Sequence, residues 1–98
     1  MDELADNVHA TCRLLRRLGH PTRLSILCSL CAGEKCVAEL TCQLGLRQSN
    51  MSQHLRKLRS AKLVKTRRSH TKVYYSLENE NAGPLLAFLR GIQEANRL

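Results

Sequence analysis

Leu44-Gly45-Leu46-Arg47-Gln48-Ser49-Asn50-Met51-Ser52-Gln53-His54-Leu55-Arg56-Lys57-Leu58, residues 44–58, is the stretch on which the reading of this chain turns. Met51, Leu55 and Leu58 recur at i, i+4 and i+7, the spacing that gathers side chains on one face of an α-helix. Polar or basic residues stand almost everywhere else, so the helix predicted over about residues 48–61 buries a narrow stripe and shows the rest to its surroundings. Just before it, Gly45-Leu46-Arg47 reads as a short turn. Val37, Leu40 and Leu44 mark a preceding helix over about residues 37–44, and Gly45 stands where a helix commonly leaves through a left-handed residue. Two helices joined by a glycine-containing turn of this length form a helix-turn-helix.

Upstream, Leu4, Val8, Thr11 or Cys12, Leu15 and Leu18 have helical spacing and predict a first helix that ends at Gly19. Pro21 suits the first position of a second helix, whose stripe runs Leu24, Leu27, Cys28, Cys31 and is widened by Ile26 and Leu30. Ala32-Gly33-Glu34 reads as its stop. Downstream of Lys62 the period changes to two. Leu63 to Arg67 reads as one strand. Val73, Tyr75 and Leu77 line one face of another, with Lys72, Tyr74 and Ser76 on its opposite face and Ser69-His70-Thr71 as the turn. That turn has no Asn-Gly or Asp-Gly, so the hairpin rests on alternation alone. A last helix, starting near Asn81 with Pro84 in its first turn, repeats Leu85, Phe88 or Leu89, and Ile92. The predicted fold is mainly α with a β-hairpin wing: a winged helix-turn-helix of about five helices and two strands, as one domain across residues 1–98.

A chain of 98 residues builds a marginal core unless oligomerisation or a metal adds to it. The middle helices and the hairpin already supply such a core, so the apolar stripes of the first and last helices are expected to meet their copies in a homodimer. The alternative is that they cover their own monomer.

Sixteen Lys and Arg stand against eight Asp and Glu, a formal charge of +8. From Leu40 to Leu77 there is no acid, while Arg47, Arg56, Lys57, Arg59, Lys62, Lys65, Arg67, Arg68 and Lys72 all fall there. A field of that sign favours an acidic partner, nucleic acid or an anionic membrane. No stretch approaches the roughly 20 apolar residues that span a bilayer. Met1-Asp2-Glu3 opens with acid where a secretory signal needs base, and a cytoplasmic protein is expected.

On a helical wheel, the face opposite Met51, Leu55 and Leu58 carries Ser49, Asn50, Gln53, Arg56 and Lys57. Gln48 lies at the helix start, with Ser52 and His54 at the flanks. Asn and Gln make bidentate contacts to adenine, Arg to guanine and Ser to either, so these types suit base edges in double-stranded DNA. His54 reads equally well as a partly buried structural residue. Arg67, Arg68, His70 and Lys72, placed at the hairpin tip, would reach an adjacent groove or the phosphates, which position a protein without specifying sequence. An RNA-binding surface needs aromatic stacking platforms, and the only aromatics are Tyr74, Tyr75 and Phe88. Nothing resembles a nucleophile-base pair, a glycine-rich phosphate loop or a paired-carboxylate site, so an enzyme is not expected.

Five cysteines, Cys12, Cys28, Cys31, Cys36 and Cys42, in a cytoplasmic chain point to thiols, metal ligands or redox sensors rather than structural disulfides. Cys28 and Cys31 lie one turn apart, a geometry that strains a direct disulfide, and Cys12 can supply a cross-helix partner. Both also read as small buried residues of the second-helix stripe. Cys36 and Cys42, six apart, do not share a helical face. A zinc ribbon needs a second Cys-x-x-Cys, which is absent.

Leu18-Gly19-His20-Pro21-Thr22-Arg23-Leu24-Ser25-Ile26-Leu27, Val37-Ala38-Glu39-Leu40, Leu44-Gly45-Leu46, residues 49–58 and Val73-Tyr74-Tyr75-Ser76-Leu77 together resemble the ArsR/SmtB family of dimeric winged-helix repressors over nearly the whole chain. The resemblance implies five helices and a two-stranded wing, a dimer built on the first and last helices, palindromic operator DNA, and release when an inducer binds or oxidises thiols. Ile26-Leu27-Cys28 is similar to the sulfide- and redox-responsive HlyU/BigR/SqrR-like branch, where a cysteine at this position pairs with one in the last helix. This chain departs from it: the partner position falls at about Glu94, and no cysteine follows Cys42. The metalloid-sensing branch carries Cys-Val-Cys-x-x-Cys, against which Cys36-Val37-Ala38-Glu39-Leu40-Thr41-Cys42 has alanine for the second thiol and the third one residue late. Last-helix zinc sites of other members use histidine, and residues 81–98 have none. The expected inducer is a small inorganic species, an oxidant or reactive sulfur sensed by Cys28 with help from Cys12 or Cys31. A thiophilic metal or metalloid ion on Cys36 and Cys42 with Cys12 is the second possibility. A metal-binding or thiol-buffering protein with incidental basic charge is the reading from another class.

Overall fold

The computed structural model describes residues 7–97; Leu4, expected on the first helix, lies outside them. Five α-helices and three strands follow one another within that span. They are α1 Val8–Leu18, α2 Pro21–Leu30, β1 Lys35–Cys36, α3 Val37–Leu44, α4 Gln48–Ser60, β2 Val64–Ser69, β3 Lys72–Leu77 and α5 Asn79–Ala95.

Local chemistry sets most of the boundaries. Arg16 and Arg17 in the last turn of α1 complement its negative end, and the N–H of Gly19 closes it on the Leu15 carbonyl. His20 begins α2 by accepting from the Thr22 N–H at 3.2 Å, with Pro21 in the first turn, where its missing N–H has no partner to lose. At the start of α3 the Cys36 N–H donates to the Glu39 carboxylate at 3.0 Å, one half of a capping box. That bond is the main reason the Glu39 carboxyl ionises below its ordinary range. Gly45, at φ 68°, ends α3 in the left-handed conformation, as expected, and its N–H and that of Leu46 both donate to the Thr41 carbonyl.

The core gathers between the helices and one face of the sheet. Ile26 and Leu27 of α2, Leu40 of α3, and Met51, Leu55 and Leu58 of α4 are wholly buried; Leu30, Leu63, Val64, Leu77, Ala82 and Leu86 complete the cluster. The inward stripe of α4 is thus the predicted one. That of α2 is rotated from expectation: Arg23, Ile26, Leu27 and Leu30 point inward, while Cys28 and Cys31 are exposed. Leu24, Cys28 and Cys31 form a second stripe at i, i+4 and i+7, so the reading of these cysteines as buried core residues is corrected.

The sheet runs β1-β3-β2, all antiparallel. The wing hairpin pairs Val64 with Leu77 through to Ser69 with Lys72, so β2 extends two residues beyond the predicted Arg67 and the turn tightens to His70-Thr71. His70 adopts φ 56°, a left-handed conformation that histidine reaches more readily than most non-glycine residues. The two-residue β1, which pairs Lys35 with Tyr75 and Cys36 with Tyr74, adds a third strand that the sequence reading did not contain. Helix α5 begins two residues earlier than expected, which puts Pro84 beyond the first turn, where it leaves the Glu80 carbonyl without its helical partner. Among the described residues no helix is long and apolar enough to cross a membrane.

Candidate nucleic-acid interface

Because Met51, Leu55 and Leu58 hold α4 to the core, its opposite face is fixed in space and open. Gln48, Ser49, Asn50, Gln53, Arg56 and Lys57 are all exposed, with Ser52 half-buried at the flank. The start of α4 has no side-chain cap and no acid in its first turn, so its free backbone N–H groups and positive dipole end face outward unneutralised. A phosphate is the natural complement to such an end.

His54 departs from that set. It is half-buried, and its Nδ1 accepts a hydrogen bond from the Arg23 Nε at 3.2 Å, while its ring lies 4.7 Å from that of His20. Arg23 is only 8% exposed, and its Nη1 donates to the Arg17 carbonyl at 3.1 Å. One guanidinium therefore ties the end of α1, the body of α2 and α4 together with no acid involved. Burial, then the neighbouring His20, Arg23 and Lys57, pushes the His54 imidazole below its ordinary value, which keeps it neutral and able to accept. Arg23 is the functional residue that sequence reasoning missed; an arginine within the inward stripe of α2 was its only signal.

The wing adjoins this helix directly. A cleft of about 290 Å³ between them is lined by Cys36, Val37, Gln48, Thr71, Lys72 and Val73, so the start of α4 and the wing turn share one surface. Arg68, His70 and Lys72 are exposed at or next to the turn. Arg67 was placed at the tip by the sequence reading and is not there. It pairs with Tyr74 farther back on the strand, its Cζ 4.8 Å over the Tyr74 ring, and its Nε donates to the Glu34 carboxylate at 3.2 Å. A second bond, from Nη2, completes a fork on Glu34. The carboxyl is held below, and the guanidinium above, its ordinary value by these bonds.

The thiols separate into distinct environments. Cys36 is buried, whereas Cys12, Cys28, Cys31 and Cys42 are exposed and all five are free. Cys28 lines an apolar cleft of about 240 Å³ between α2 and α5 with Leu24, Leu86, Leu89 and Ile92. The Cys31 Sγ lies 3.9 Å from the Arg90 Nη2 of α5. No three His, Cys, Asp or Glu side chains among the described residues converge to hold a metal ion, so the proposed set of Cys36, Cys42 and Cys12 is not assembled within one chain. Cys36 is turned into the interior at the head of α3, and Cys42 faces outward on the same helix.

At the outer ends, α1 buries no residue at all; its Val8 and Leu15 are 51% and 58% exposed, and Phe88 and Ile92 of α5 are 66% and 41% exposed.

Residues 20–66 match the family model described as bacterial regulatory protein, arsR family. The chain is 42% identical over 79 residues to the biofilm growth-associated repressor of Agrobacterium fabrum, a match that covers 81% of this chain and 68% of that protein. Among solved structures, reduced HlyU from Vibrio cholerae is 35% identical with a TM-score of 0.80, over 94% of this chain and 97% of that one. The homodimeric winged helix-turn-helix DNA-binding domain of Mb0332 from Mycobacterium bovis is 28% identical with a TM-score of 0.86, over 100% of this chain and 91% of that one.

Proposed function

This chain belongs to the arsR family of bacterial regulatory proteins, DNA-binding regulators rather than enzymes, and from that premise we propose that it is a homodimeric repressor of palindromic operator DNA, released by chemistry at a cysteine. One observation carries the DNA reading. Six exposed polar or basic side chains stand on one face of α4, which is anchored by three fully buried residues and bordered by a basic wing. Gln48, Ser49, Asn50, Ser52, Gln53 and Arg56 read base edges in the major groove, and Arg68, His70 and Lys72 hold the flanking backbone. His54 serves chiefly to seat the helix.

A second copy of the chain covers the apolar surface of α1 and α5. Phe88, Leu15, Val8 and Ile92 are large side chains left in water on the two terminal helices, which is costly for an isolated monomer and ordinary for a subunit. The similarity to a homodimeric domain supports the same conclusion. Two-fold pairing presents the recognition helices to half-sites about one helical turn apart. The relative named as a repressor supports repression as the sense of the response. A protein of this kind works in the cytoplasm, with its DNA.

Cys28 is the sensing thiol, and Cys31, one turn on, or Cys12 on α1 assists it. Cys28 lines the largely apolar cleft against α5, the helix assigned to the dimer contact. Oxidation or persulfidation adds polar bulk among Leu24, Leu86, Leu89 and Ile92, shifts α5 and changes the separation of the two reading heads. The test is binding to a duplex selected from random sequence, with and without peroxide or polysulfide. The parent chain is expected to bind in reductant and to let go with either reagent, and Cys28→Ser to bind equally and stay bound. A serine variant that still dissociates removes Cys28 from the sensing role; a parent that binds no duplex removes the function.

A further inference from the structure

Acids are scarce around the DNA-facing elements, which makes the position of Glu34 informative. From residue 7 to residue 77 the chain contains two, Glu34 and Glu39, and Glu39 is engaged by the Cys36 N–H at the head of α3. Glu34 precedes β1, on the edge of the sheet away from β2. Arg67, on β2, crosses the intervening β3 over the Tyr74 ring and forks onto the Glu34 carboxylate. Theirs is the one ion pair among the described residues, and it lies on the wing. The two side chains remain 55% and 39% exposed, so solvent screens the pair and it adds little to folding.

We propose that Glu34 is an internal counter-ion that competes with DNA phosphate for Arg67, and thereby sets how strongly the wing holds DNA of any sequence. The inference rests on the duplex-binding reading above. A guanidinium fork matches carboxylate and phosphate geometry alike, so Arg67 can exchange one for the other without changing its bonding pattern. Contacts to phosphate draw their free energy largely from released counter-ions, and they are what make binding to random DNA possible. While Glu34 holds the fork, Arg67 meets the duplex already neutralised and releases nothing. Lys65, Arg68 and Lys72, the other Lys and Arg side chains of the wing strands, make no ion pair among the described residues and stay available to phosphate.

The test compares the full chain with Glu34→Gln, Arg67→Ala and the double variant on a random duplex and on a selected palindrome, between 50 and 200 mM salt. Glu34→Gln is expected to bind random duplex more tightly at the low end. Its plot of log K against log salt should steepen by about 0.9 for each subunit, about 1.8 for the dimer, an additional loss of about twelvefold across that range. In the Arg67→Ala background the glutamine is expected to change neither quantity. An unaltered slope, weaker binding by Glu34→Gln, or the same gain with Arg67 removed overturns the proposal. If the parent binds neither duplex, the DNA-binding reading falls with it; if the parent binds and the glutamine variant matches it, only the role of Glu34 falls.

Discussion

An imidazole that accepts a hydrogen bond from an arginine must be neutral, and His54 is in that position on the recognition helix. Its Nδ1 takes the Arg23 Nε–H, and burial together with His20, Arg23 and Lys57 holds its proton affinity below the ordinary value near 6.5. Folding therefore favours the neutral ring. The stability gained is present in full above the unfolded value and is lost as pH falls through the lower folded value. Thermal melts of the parent chain are expected to fall in midpoint as pH drops below about 6.5, and His54→Gln, which offers an uncharged acceptor to Arg23, to fall less steeply. Parallel profiles for the two would show that His54 does not carry this linkage. The residue scale is also where the sequence was least legible. The side-chain types of α4 could be matched to base edges directly, but the only sign that Arg23 is a buried tie is its place on the stripe of Ile26, Leu27 and Leu30, and α2 carries a rival apolar stripe. Arg67 and Glu34 are likewise 33 positions apart, so their pairing emerges only when β1 folds against β3.

At the scale of elements, the helix-turn-helix was readable because three independent signals coincide there. The i, i+4, i+7 stripe of Met51, Leu55 and Leu58 fixes the face, Gly45 fixes the exit from α3, and the polar remainder fixes what is left outside. By contrast β1 has too few residues to show a period. Helix α2 carries two apolar stripes at helical spacing, so periodicity alone could not decide which faces the core. The junction after α4 has a conformation that its sequence conceals. Lys62 adopts φ 60°, the left-handed position that glycine occupies without steric cost, and its carbonyl accepts from the Asn81 side chain at 2.7 Å. Replacing it with glycine removes the Cβ clash, although glycine has more freedom to lose on folding. Lys62→Gly is expected to raise stability by about 0.5–1 kcal/mol, measured by denaturant titration. A loss of stability there would mean that the lysine side chain supports the junction in a way the backbone does not reveal.

Seen as a whole, the molecule joins a strongly positive net charge to terminal helices that leave large apolar side chains exposed. Its formal charge is +8, and the stretch from Leu40 to Leu77 that folds into the turn, the recognition helix and the wing contains no acid. That imbalance was visible in the sequence; what it concealed is that folding brings Glu34 onto the wing from outside the stretch. The apolar ends, α1 and α5, were legible as stripes because the interior was already accounted for, and the exposure of Val8, Leu15, Phe88 and Ile92 gives them a reason to pair. In the proposed dimer, the basic surface and the pairing of α1 and α5 together place two reading heads on one duplex. The most direct measurement is sedimentation equilibrium with a labelled palindromic duplex and excess unrelated competitor, repeated across salt concentrations. Two chains per duplex are expected, preferring the palindrome, with affinity falling steeply as salt rises because each phosphate contact releases counter-ions. A monomer that takes palindrome and competitor equally, or neither, would contradict the account.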